Sequence, residues 1–142
     1  MKYLLDTDHL SILQQQSGQE YSALAARLSR RPAADIALSV ISFHEQILGC
    51  HTSISRASRE QDVVRGYAML ERLLSDYAAV PVVPFDAVAA STFVALKARR
   101  LRIATMDLRI ASVAVSRGLT LLTRNTRDFG QVPGLDTEDW TD

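Results

Sequence analysis

The amino-acid sequence predicts an α/β fold, with a central, mostly parallel β-sheet flanked by helices on both faces. Three observations lead there. Short apolar runs read as strands buried on both sides. Stretches with apolar residues at helical spacing lie between them. The two kinds alternate along the chain, as parallel β-α-β units require. At 142 residues the chain has the common size of one domain, burying about two-thirds of its unfolded surface, so residues 1–142 are expected to form a single unit.

The first strand is expected at residues 2–5, an apolar run ending at Asp6. Helices are expected over 8–16 and 19–30, parted by Ser17-Gly18, with Arg30-Arg31-Pro32 closing the second. Residues 36–41, Ile-Ala-Leu-Ser-Val-Ile, read as the second strand. Ser42 then stands where it can cap a helix carrying Glu45, in the Ser-x-x-Glu spacing of a capping box. Residues 60–77 place Val63, Tyr67, Leu70, Leu74 and Tyr77 at helical spacing, which predicts a core-facing stripe. Short runs at 80–83 and 119–122 complete the strands. Between them come a helix over 86–101 and another over 106–117, with Thr105 as N-cap and Gly118 just past the C-terminus.

Composition narrows the class. Apolar residues make up 47% and charged residues 23%, an ordinary globular balance, and no stretch approaches the roughly 20 apolar residues that span a bilayer. Tyr3-Leu4-Leu5 meets an acid at once, so it reads as a strand and not as a signal peptide; a cytoplasmic location is expected. Cys50 is the only cysteine, which excludes an intrachain disulfide and a thiolate zinc site and predicts a small buried thiol. The net charge is zero, so the field of the whole molecule gives no argument for nucleic acid. Only Lys2 and Lys97 among the 16 basic residues are lysine. Arginine suits bidentate contact with phosphate, although arginine enrichment also follows from genomic base composition.

In open parallel sheets, function collects beyond the carboxyl ends of the strands. Four acids fall there, with a fifth, Asp8, at their edge. Asp6 follows the first strand, with Asp8 two residues on; Glu45 comes soon after the second strand, Asp107 in the first turn of its helix, and Asp128 just past the last interior strand. Each has a bland reading alone. Glu45 suits a capping box, Asp107 a helix dipole, Asp128 an Asx turn, and Asp8 a helix cap. Their common position is harder to explain that way, because carboxylates gathered together raise one another's pKa unless cations neutralise them. Oxygen donors without a His or Cys cluster suit Mg²⁺ or Mn²⁺ and argue against zinc. His9, His44 and His51 read as packing or surface histidines.

The chain resembles PIN-domain ribonucleases, and more narrowly the VapC-like toxins of bacterial toxin–antitoxin modules. The resemblance runs through Leu5-Asp6-Thr7-Asp8, then the segment Ser39 to Gly49 containing Glu45, then Met106-Asp107-Leu108-Arg109-Ile110-Ala111. It is most specific in Leu121-Leu122-Thr123-Arg124-Asn125-Thr126-Arg127-Asp128-Phe129. It implies a PIN-like fold and puts Asp6, Glu45, Asp107 and Asp128 in an acidic cluster, with Thr7, Thr123 and Asn125 in support. Ser42 stands where many relatives have Thr, and His44 where a small or apolar residue is common. The implied activity is hydrolysis of RNA by Mg²⁺ or Mn²⁺, with Asp6 and Asp107 as direct metal ligands and Arg109, Arg124 and Arg127 as RNA contacts. The implied partners are a cognate antitoxin, a second copy of the chain in a homodimer, and operator DNA only through the antitoxin complex.

Other readings stay open. A PIN-like nuclease of RNA processing would share the acids without a toxin role, and a non-catalytic antitoxin- or operator-binding module would share the fold. Asp-x-Asp after a first strand also opens phosphatases that form an aspartyl-phosphate. Those carry Thr or Val four residues after the first Asp, where this chain has Leu10.

Overall fold

The computed structural model describes residues 1–142. Its strands are β1 (Tyr3–Leu5), β2 (Ile36–Ser39), β3 (Val82–Val83), β4 (Thr120–Leu122) and β5 (Thr137–Glu138). All pair in parallel, in the order β3-β2-β1-β4-β5. The helices are α1 (Thr7–Gln15), α2 (Gln19–Ser29), α3 (Val40–Arg56), α4 (Glu60–Ala78), α5 (Ala87–Lys97), α6 (Thr105–Arg117) and the single turn α7 (Thr126–Phe129). None is long and apolar enough to cross a membrane.

The apolar strands divide by parity between two cores. Leu4, Ala37, Val83 and Leu121 face a core built with α5 and α6 through Leu96, Leu108, Ile110 and Val113. Tyr3, Leu5, Ile36, Leu38 and Leu122 face the other, which holds Leu10, Ile12, Leu24, Cys50, Leu73, Tyr77 and Trp140. Successive side chains of a strand point to opposite faces, so a run that is apolar throughout needs helices on both sides. The fold class is as the sequence predicts, and Cys50 is buried.

The chain leaves β1 toward β2 and β3 on one side, then crosses back to lay β4 and β5 on the other. Order therefore reverses at β1, between its neighbours β2 and β4. Such a reversal opens a crevice beyond the carboxyl ends of the strands, because the following connections diverge to opposite faces. Asp6 leaves β1 at this point and Thr123 leaves β4 beside it; the register pairs Leu5 with Leu122, and the Asp6 amide donates to the Leu122 carbonyl at 2.9 Å.

Several boundaries differ from expectation. The second strand stops at Ser39, whose hydroxyl accepts from the Ile41 amide and caps α3, so Ser42 is not the cap and Glu45 completes no capping box. Thr105 is the first residue of α6, with Ala104 at the N-cap making no side-chain bond. Helix α5 ends at Lys97, short of residue 101. On α4 the inward positions are Gly66, Leu73 and Tyr77, while Tyr67 and Leu74 are 56% and 63% exposed. The periodicity was sound, but the true stripe is displaced because Gly66 packs against Ile54 of α3. Strand β5 is too short and polar to announce itself. Gly118 ends α6 with φ 66°, a left-handed conformation that glycine adopts without a Cβ clash.

Candidate active site

Asp6 is the centre of the site. Its backbone is extended, so it caps α1 while its carboxylate hangs over the crevice, only 5% exposed. Oδ1 accepts from the Thr7 amide at 2.8 Å, and Oδ2 accepts from the Thr123 hydroxyl at 2.8 Å. Thr123 is wholly buried. Its one proton serves Asp6; its longer approach to Asp8 is 3.3 Å.

The other acids are held in the same manner. The Thr7 hydroxyl lies 3.0 Å from both Glu45 Oε1 and Ser42 Oγ. A carboxylate can only accept, so Thr7 gives its proton to Glu45 and the Ser42 hydroxyl donates back to Thr7. Asn125 caps α7 by accepting from the Asp128 amide, and its own amide donates to Asp128 Oδ2 at 3.0 Å. Asp107 sits in the first turn of α6, where the dipole favours an acid.

Their electrostatics show that the acids form one group. Burial pushes the Asp6 carboxyl up to about 7, with Asp8 and then Asp107 adding repulsion against the bonds from Thr123 and Thr7. Asp107 is raised by burial, then by Glu45, Asp128 and Asp8. No Lys or Arg pairs with Asp6, Glu45, Asp107 or Asp128. Uncompensated acids with hard oxygen donors have the chemistry that Mg²⁺ or Mn²⁺ requires. As placed, no three of them close around one point, so the fit lies in the donor set and its unbalanced charge, and an ion would have to draw them together.

The arginines separate. Arg124 pairs with Glu20 at 3.4 Å. Arg109 lies about 200° around α6 from Asp107 and stacks over Phe93, 5.6 Å from the ring centroid, so it is turned away from the acids. Arg127 is exposed on α7 without an ion partner. His44 and His51 are exposed. Asp8 belongs nearer the centre than its sequence position suggests: it accepts from the Arg124 amide at 2.9 Å and abuts Thr123. His9 is fully buried with partners on both ring nitrogens. Nothing in the sequence joins it to Trp140, which lies 131 residues away.

The fold and the acids together define the class: the chain belongs to the PIN domain family, which residues 3–135 match. Among individual proteins it is similar to the tRNA(fMet)-specific endonuclease VapC of Shigella flexneri, 37% identical over 89 residues that cover 60% of this chain and 65% of that protein. The protein of the same description from Salmonella typhimurium is 34% identical over 72% of this chain and 74% of its own length. The match thus spans just under two-thirds of the Shigella protein. Among solved structures, VapBC2 from Rickettsia felis bound to a promoter DNA fragment superposes with a TM-score of 0.72 at 25% identity, covering 99% of both chains. VapBC-1 from nontypeable Haemophilus influenzae does so with a TM-score of 0.70 at 26% identity, covering 100% of both.

Proposed function

We propose that this chain is a divalent-cation-dependent endoribonuclease and the toxin of a toxin–antitoxin pair, its residues 1–142 acting as one nuclease domain in the cytoplasm. The observation that carries the reading is the gathering of Asp6, Glu45, Asp107 and Asp128 at the switch point of a PIN-domain sheet. Similarity to two proteins described as tRNA(fMet)-specific endonucleases supports RNA as substrate and makes transfer RNA the first to test.

Asp6 and Asp107 are the proposed direct ligands of Mg²⁺ or Mn²⁺; Glu45 and Asp128 bind directly, through water, or orient the attacking water. An ion held by these residues would supply a water of lowered pKa and a positive charge opposite the phosphoryl and leaving oxygens. The chain holds its carboxylates in place: Thr123 fixes Asp6, Thr7 fixes Glu45, and Asn125 fixes Asp128. Because water is the nucleophile, no serine or cysteine is needed. Arg127 is the best placed of the expected RNA contacts because it is free; Arg124 would have to leave Glu20, and Arg109, stacked on Phe93 and turned from the acids, is the least well placed.

The proposed antitoxin segment would lie in a groove of about 560 Å³ lined by Leu10, Leu13, Leu28 and Val80. Operator DNA would be bound only through the joint complex. A homodimer is proposed through α5, whose Val88 and Val94 are 61% and 67% exposed.

The test is cleavage-site mapping on total cellular RNA with Mg²⁺ or Mn²⁺, beside Asp6→Asn. A metal offers several kcal/mol of charge stabilisation, so the variant is expected to lose on the order of 100-fold or more in rate. Equal cutting by the two proteins would remove Asp6 from the mechanism.

A further inference from the structure

We propose that His9 is a positioning residue: its buried ring joins the segment Asp139–Thr141 to Asp8, and through Asp8 sets the β4 end that holds the catalytic acids. The role rests on the nuclease reading above, but its geometry stands apart from it. His9 is 0% exposed. Its Nε2 accepts from the Trp140 amide at 3.2 Å. A nitrogen that accepts carries no proton, so the ring proton is on Nδ1, where it donates to Asp8 Oδ1 at 2.9 Å.

Asp8 passes the constraint on. Its second oxygen accepts from the Arg124 amide at 2.9 Å and lies 3.3 Å from the Thr123 hydroxyl. Thr123 donates to Asp6, and its oxygen accepts from the Asn125 amide at 3.0 Å; Asn125 in turn holds Asp128. The path from His9 thus runs through Asp8 to the Arg124 amide and from there along the backbone to the neighbouring Thr123 and Asn125, which hold two of the four acids. The far side is anchored as well. The Trp140 ring, 1% exposed, lies 4.7 Å from the Tyr3 ring, with the Arg27 guanidinium 4.9 Å from its centroid. Asp139 accepts from both the amide and the hydroxyl of Thr141. The imidazole has a fixed partner on each side and no freedom to turn. Loss of an outer partner that orients a site residue typically costs about 10–100-fold in metal affinity or activity.

Two amide side chains divide the ring's functions. Asn places its NH₂ where Nδ1 was, keeping the bond to Asp8 and losing that to Trp140. Gln places its oxygen where Nε2 was, keeping the Trp140 bond and losing the donor to Asp8. The experiment compares wild type, His9→Ala, His9→Asn and His9→Gln by RNA-cleavage kcat and KM, thermal unfolding, and the ¹H shift of the Arg124 amide. Expected results are a kcat at least about tenfold lower in His9→Ala and His9→Gln with KM within about twofold, rescue by His9→Asn despite a lower Tm, and an Arg124 amide displaced in His9→Gln but not in His9→Asn. A kcat that follows Tm across all three variants overturns the proposal, as does an Arg124 amide unmoved in His9→Gln. A wild-type protein that cuts no RNA overturns the nuclease reading instead, since the amide shift still reports whether His9 holds Asp8.

Discussion

Asp6 is held where ionisation is opposed. With its folded pKa raised from 3.8 to about 7, the folded chain keeps a proton that the unfolded chain has released throughout that window. Stability therefore falls as pH rises from 3.8 to 7, is free of the penalty below that range, and bears all of it above. The span corresponds to on the order of 4 kcal/mol at about 1.4 kcal/mol per pKa unit. Asp6→Asn removes the charge and keeps an acceptor for the Thr7 amide, while its NH₂ would donate to the Thr123 oxygen, whose proton can turn to Asp8. Urea unfolding should find the variant close to wild type below pH 4 and more stable by a few kcal/mol at pH 8. Mg²⁺ or Mn²⁺ at pH 8 should stabilise wild type and leave the variant unchanged. Parallel pH curves for the two proteins would show that Asp6 is not the group under strain. Asp6 was legible because an apolar strand points to it. Its partner Thr123 became legible only through family resemblance, and His9 was not, because a tertiary bond across 131 residues leaves no periodic trace.

At the scale of elements, α3 and α4 pack closely where Gly66 meets Ile54. A Cβ added to Gly66 would lie 2.5 Å from Ile54 Cγ1, whereas one on Gly49, in the same helix pair, would touch nothing within 4 Å. Glycine costs a helix interior roughly 1 kcal/mol relative to alanine, and overpacking costs about 1–3 kcal/mol. Gly49→Ala should therefore raise stability by about 0.5–1 kcal/mol and Gly66→Ala lower it by about 1 kcal/mol. Chemical unfolding checks both signs, and a stabilised Gly66→Ala would mean that the helices can part without cost. Strand and helix order were readable from hydrophobic rhythm, since each interior strand is apolar on both faces. Element ends were less so. Val40 and Ile41 look like strand but lie in the first turn of α3, because the Ser39 hydroxyl meets the Ile41 amide there. The stripe on α4 was misplaced since a buried glycine carries no hydrophobic signal of its own.

For the whole molecule, the proposed homodimer is tested at the α5 surface. Val88 and Val94 leave an apolar face uncovered, and Val94→Glu should shift a light-scattering mass from dimer to monomer while the circular dichroism spectrum stays that of the folded chain; a monomeric wild type would dismiss this face. The larger consequence lies in the sheet order. β1 is built at once by the start of the chain, yet its partner at the crevice is β4, which pairs Tyr3–Leu5 with Thr120–Leu122, and Asp128 follows six residues later. Loop closure over such a separation makes this pairing slow and late. During translation a ribosome therefore carries most of this polypeptide with Asp6 facing nothing. The proposed site is complete only once residues 120–128 have emerged and docked, because Thr123, which holds Asp6, and Asp128 both lie in that last segment.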